Sequence, residues 1–297
     1  MSRSSSRRLG GQGLWAWPPV AFVLVLVVVP LVYIALFSVG LRSNVPGTKT
    51  AFDLSNWKDF LFGENNPFRA LFWHSLLITV LVSVAVTIAA YPLAYFLSFV
   101  ARKNRYTLLL LVLAPFFTSF LLRVIAWQII LNENGVVNSF LWWAHLRPQG
   151  DSVTWLIYSN FSVVLVLFYS WIPFVALPMF VVMENMDRRL LEAAEDLGAS
   201  RLTAFLKVTL PLSIPGIIAG FVFVLIPTTG EFITPLLVGG PESQLFGNQI
   251  QSFFSDSPDW NYGSVLAMTL IVLVLLLMVI FGRFLSADLR RPSTESA

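Results

Sequence analysis

Residues 187–211 read DRRLLEAAEDLGASRLTAFLKVTLP, and the organisation of the chain is decided there. Asp187 is placed to cap a short helix on which Leu190, Ala194 and Leu197 share one face. Gly198 stands where a left-handed residue would end that helix, because only glycine takes positive φ without a steric cost. Ser200 then caps a second helix bearing Leu202, Phe205, Leu206 and Thr209, and Pro211 opens whatever follows. The stretch therefore predicts two helices meeting at a sharp bend. Ala193 and Ala194 permit close backbone approach, while Glu192, Glu195 and Asp196 offer charges to a partner.

On either side of this polar bend the chain is apolar. Its 297 residues are 57% hydrophobic and 12% charged, with a mean hydropathy of +0.76. A soluble chain carries about 25% charged residues, so this one cannot cover a globular surface with polar groups. A membrane-spanning helix needs about 20 mainly apolar residues. Six stretches qualify, near Trp15–Val39, Trp73–Phe99, Thr107–Leu131, Tyr158–Met183, Leu212–Val238 and Tyr262–Gly282. The first follows three arginines like a signal peptide, but its apolar run is too long for a cleaved core and predicts a retained span. An all-α membrane protein is expected: a cytoplasmic tail at 1–14, a six-span domain at 15–282 and a second tail at 283–297.

Lys and Arg set the orientation. Segments 1–14, 100–106, 184–211 and 283–297 hold 13 of the 19 basic residues, against 5 on the alternate loops. The positive-inside rule then puts both termini and the 187–211 bend in the cytoplasm. The net charge of +3 is explained by this bias and calls for no nucleic-acid partner. The absence of cysteine and the two isolated histidines, His74 and His145, exclude thiolate chemistry and a histidine-rich metal centre. A membrane enzyme would need a nucleophile with its base, or facing carboxylates, and the spans supply neither. Outside the spans, Ser55 is expected to cap a short surface helix ending at Gly63.

The pattern Glu192-Ala193-Ala194, Gly198, Val208 and Leu210-Pro211 resembles the signature loop of the permease subunits of type I ATP-binding-cassette importers. Val208 stands where isoleucine is usual. Further segments resemble the permeases of spermidine/putrescine importers: Tyr91-Pro92-Leu93-Ala94, Pro115 through Arg123 with Ala126-Trp127, Gly230-Glu231-Phe232 with Pro235 and Gly239-Gly240, and Asp259-Trp260. The resemblance implies a bacterial inner-membrane permease that needs no cofactor. It implies three partners: a separate ATPase, docked on the 187–211 loop through Glu192, Ala193, Ala194, Gly198, Val208, Leu210 and Pro211; a second, related permease; and an extracytoplasmic solute-binding protein. The chain itself lacks the glycine-rich, lysine-bearing loop that cradles nucleotide phosphates.

Two charges lie inside apolar spans, Arg123 in the third and Glu231 in the fifth, where a lone charge costs about 3 kcal/mol. Either they pair, or Glu231 lines a solute path with Trp127 as a cation–π face and Tyr169 nearby. Pro227, Thr228, Thr229, Gly230 and Pro235 predict that the fifth span is broken beside Glu231, and irregular backbone at membrane depth is tolerated where it faces protein or a watery cavity. Gly216 and Gly220 form a small-residue face for helix packing or a subunit contact.

Overall fold

The computed structural model describes residues 12–44, 50–101, 103–257 and 259–289; most of both predicted tails lies outside them. Among the described residues the regular elements are helices, and six stretches are long and apolar enough to cross a membrane: Pro18–Ser38, Pro67–Val100, Phe120–Trp143, Asn160–Glu184, Arg201–Thr229 and Trp260–Arg283. It divides into two compact units.

The smaller unit comprises the chain up to Asn66 and Ser252–Thr269. It holds α1 (Gln12–Ser38) and α2 (Ser55–Phe62). Phe37, buried near the end of α1, packs on Trp260 with ring centroids 5.8 Å apart. Asn261 donates to the carbonyls of Phe37 and Arg42, both at 2.8 Å. The short surface helix has the expected bounds but a different cap. Asp53 accepts from the Ser55 backbone N–H at 2.8 Å and from its hydroxyl at 2.7 Å. Those two bonds hold the Asp53 carboxyl below its ordinary range.

The larger unit, Pro67–Gln251 with the chain beyond Leu270, carries the remaining architecture. Three long helices form its centre: α3 (Pro67–Tyr95), α7 (Asn160–Glu184) and α10 (Leu210–Thr229). Val82, Val86 and Ala90 of α3, Val166, Val175 and Met179 of α7 and Val224 of α10 are completely buried. The small-residue face of α10 is spent inside the chain. A Cβ on Gly220 would sit 2.9 Å from Val175 Cγ1 and 3.0 Å from its carbonyl oxygen, and one on Gly216 would sit 3.0 Å from Val182 Cβ.

Two apolar stretches differ from uninterrupted helices. The third, expected over Thr107–Leu131, consists of α4 (Arg105–Leu113), a 3₁₀ turn at Ala114–Phe117, extended backbone at Thr118 and then α5 (Phe120–Leu131), followed after a turn by α6 (Val136–Trp143). Pro115 sits at the start of the 3₁₀ turn, where the missing N–H ends the α-helical ladder. The fifth breaks where the sequence predicts, α10 ending at Thr229 and α11 (Ile233–Val238) resuming after three residues.

Candidate functional site

The bend at 187–211 folds largely as its sequence dictates. Asp187 Oδ1 accepts from the Arg189 N–H at 3.0 Å, opening α8 (Arg189–Asp196). Gly198 has φ +81°, and the Ala199 N–H reaches back to the Ala194 carbonyl at 3.0 Å, closing the helix end. Ser200 Oγ accepts from the Thr203 N–H at 3.3 Å and caps α9 (Arg201–Ala204). The expectation that Pro211 opens a separate span is corrected. The helix runs on from Arg201 to Thr229 through a wide π turn at Phe205–Thr209. That turn lengthens the hydrogen-bond ladder just before Pro211, whose missing N–H and bulky ring strain a regular α-helix.

The bend is anchored on one side and bare on the other. Arg188 Nη2 donates to the Ser98 carbonyl at 3.1 Å, in the π turn Phe96–Val100 that follows α3. Phe205 turns inward against Tyr91 and Tyr95, with centroids 5.9 and 5.8 Å apart. Arg105 forms an ion pair with Glu184 beside the bend. Leu197 is 89% exposed and Leu202 67%, with Leu190 and Leu206 also exposed. Glu192, Ala193, Gly198 and Pro211 are exposed, and Ala194, Val208 and Leu210 half-buried. Apolar side chains bared on a short charged helix make a surface that a partner covers.

The second site lies where the two broken stretches meet. A cavity of about 460 Å³ is walled by Phe120, Arg123, Ser170, Trp171, Phe174, Phe223, Pro227, Glu231 and Ile233. Arg123 and Glu231 share this cavity without an ion pair, so the pairing expectation is not met. Each charge is engaged locally. Arg123 Nη1 donates to the carbonyls of Phe116 at 2.8 Å and Thr118 at 3.1 Å, the acceptors freed when the third stretch breaks. Its guanidinium lies over the Phe116 ring, 4.9 Å from the centroid, and 5.8 Å from that of Phe120. Glu231 Oε1 accepts from the Thr234 N–H at 2.9 Å and caps α11. Its second oxygen has no partner among the described residues.

Trp127 and Tyr169 stand together, centroids 5.3 Å apart, and Tyr169 reaches Phe116 at 5.3 Å. They buttress the aromatic bed of Arg123 and do not wall the cavity. Trp171, Phe174 and Phe223 form the aromatic lining, with Phe174 and Phe223 stacked at 6.3 Å. Ser170 Oγ, Trp171 Nε1 and Arg123 Nε are buried donors without a partner. Phe120, Ser170, Phe174 and Phe223 carried no separate sequence signal, since an apolar span displays such residues on every face. A wider groove of about 760 Å³ between α5 and α6 holds no ionisable side chain and none of the predicted path residues.

Residues 72–291 match the family model described as "Binding-protein-dependent transport system inner membrane component". The chain belongs to this family. It is thus a multi-pass inner-membrane permease subunit, a transport component and not an enzyme. The permease is 33% identical over 264 residues to the spermidine/putrescine transport system permease protein PotB of Escherichia coli (strain K12), covering 89% of this chain and 94% of that one. It is 36% identical over 219 residues to PotB of Haemophilus influenzae, covering 73% and 76%. A chain in the crystal structure of a bacterial ABC transporter involved in alginate import has the same fold, with a TM-score of 0.70, 16% identity and coverage of 95% and 96%. The type I importer fold expected from the signature loop is therefore present.

Proposed function

We propose that this permease carries polyamines of the spermidine and putrescine class, delivered by an extracytoplasmic binding protein and driven by a separate ATPase. The observation that carries the reading is the 33% identity to a spermidine/putrescine permease across nearly the whole of both chains. The cavity chemistry agrees with it. A polyamine alternates ammonium groups with methylene runs, and Glu231 offers a carboxylate oxygen beside the apolar wall of Trp171, Phe174 and Phe223. A second, related permease completes the path, and both termini face the cytoplasm with the 187–211 bend. The bared leucines, Glu192, Ala193, Ala194, Gly198, Val208, Leu210 and Pro211 form the ATPase dock.

One observation favours a second reading. Arg123 lines the same cavity as Glu231, and a guanidinium there suits a solute carrying an acid group, such as an opine, an amino acid derivative or a phosphonate. The test is ATP hydrolysis by the complex reconstituted with both permeases, the ATPase and the binding protein. Stimulation by spermidine or putrescine is the expected result, and stimulation by acidic solutes alone refutes the polyamine assignment. Glu231→Gln removes the charge with little change of shape, and a drop of about tenfold in uptake is expected for the loss of one charge-assisted contact. Unchanged uptake removes Glu231 from the path.

A further inference from the structure

The break that presents Glu231 is built by a segment distant from it in sequence. After α11 the chain makes a 3₁₀ turn at Pro241–Ser243 and enters α12 (Phe246–Ser255), whose first residues press on the break. Asn248, almost wholly buried, donates from Nδ2 to the Phe232 carbonyl at 2.7 Å. Its Oδ1 accepts from the Leu245 N–H at 3.0 Å, so one carboxamide fixes both the segment and the break. The Phe246 N–H donates to Ser75 Oγ of α3 at 2.7 Å. Gly247 lies so near that an added Cβ would stand 2.7 Å from the Glu231 carbonyl oxygen and 2.9 Å from that of Gly230. The Phe232 carbonyl also accepts from the Leu236 N–H at 3.1 Å, the first bond of the α11 ladder, so Asn248 ties its own segment to the first turn of α11.

We propose that Asn248 is a positioning residue for Glu231: by holding the Phe232 carbonyl it fixes the turn from which the Glu231 carboxylate enters the cavity. Asn248 has no contact with the cavity and acts only through the break. The functional part of this inference rests on the reading of Glu231 as a path residue, and the geometrical part does not. Asn248→Asp keeps the size of the side chain and replaces the Nδ2 donor with an oxygen that repels the Phe232 carbonyl.

The chain has no cysteine, so single thiols at positions 231 and 223 report two accessible points of the cavity lining separately. In the reconstituted complex, Glu231→Cys and Phe223→Cys are labelled with a small cationic thiol reagent, with and without Asn248→Asp. The labelling rate at 231 is expected to change about fivefold or more while that at 223 holds steady, the mark of a local shift in place of general loosening. In spermidine uptake, Asn248→Asp and Glu231→Gln are each expected to cost about tenfold and the double variant no more than Glu231→Gln alone, since both act through one group. Equal labelling changes at the two positions, no change at 231, or additive losses overturn the proposal. A selective change at 231 in a complex that moves no spermidine upholds the positioning role and refutes the polyamine reading. If Asn248→Asp does not accumulate in the membrane, Ser75→Ala loosens the same segment from α3 and is carried through the same measurements with the same criteria.

Discussion

Substituting Gly198 with valine tests the ATPase dock by backbone strain alone. Gly198 has φ +81°, and nothing lies within 4 Å of an added Cβ, so valine meets no clash. The cost is purely conformational, about 1–2 kcal/mol for an ordinary side chain and more for a β-branched one. At 2 kcal/mol the bent form loses about thirtyfold against straighter alternatives. ATPase capture is therefore expected to weaken about ten- to thirtyfold for Gly198→Val, and far less for Gly198→Asn, since asparagine visits the left-handed region. The assay is titration of the purified permease pair with the ATPase subunit, read as coelution and as hydrolysis. Gly150 supplies the control: it has φ +90° and equally open space, and lies far along the chain from the bend. Gly150→Val bears the same strain and is expected to leave capture unchanged. Wild-type capture by Gly198→Val, or an equal loss with Gly150→Val, refutes the assignment.

Gly220→Ala drives a methyl against a carbonyl oxygen of α7 that cannot rotate away, so a loss of about 1–3 kcal/mol is expected, read as a lower unfolding temperature in detergent. Gly230→Ala is expected to be nearly silent in the same assay, since Gly230 has negative φ and an added Cβ would meet only Leu270 Cδ2 at 3.8 Å. Arg105→Ala leaves the Glu184 carboxylate largely buried without its cation, whereas Arg105→Ala with Glu184→Gln removes the charge as well. The double variant is expected to be the more stable in thermal unfolding, and the reverse order refutes a desolvated ion pair.

The bend at 187–211 was legible almost residue by residue because its determinants are local: a capping acid, a glycine, a capping serine. The break in the fifth stretch was legible for a related reason, since Pro227 and the polar residues after it interrupt any apolar run. Gly230 marks that break without supplying unusual dihedral freedom, so the signal was sound although the conformational reason was different. The helix passing unbroken through Pro211 was hidden because a π turn is a response to neighbouring constraints and leaves no pattern of its own. The walls of the cavity were hidden as well. Phe174 and Phe223 become distinct from other phenylalanines only once α7 and α10 are packed.

Arg123 shows how the site depends on what a sequence does not display. Two charges in apolar stretches invite a pair, but a broken helix creates charge partners that belong to no side chain, namely its own freed carbonyls. Arg123 serves the break in the third stretch, Asn248 serves the break in the fifth, and one oxygen of Glu231 is consumed in capping α11. What a solute meets is the remainder after the breaks have been satisfied: one carboxylate oxygen and a wall of aromatic rings. The two irregular stretches therefore act as a single device. Each break is held by a side chain that follows it in the chain, and the holding fixes where the one uncommitted oxygen points.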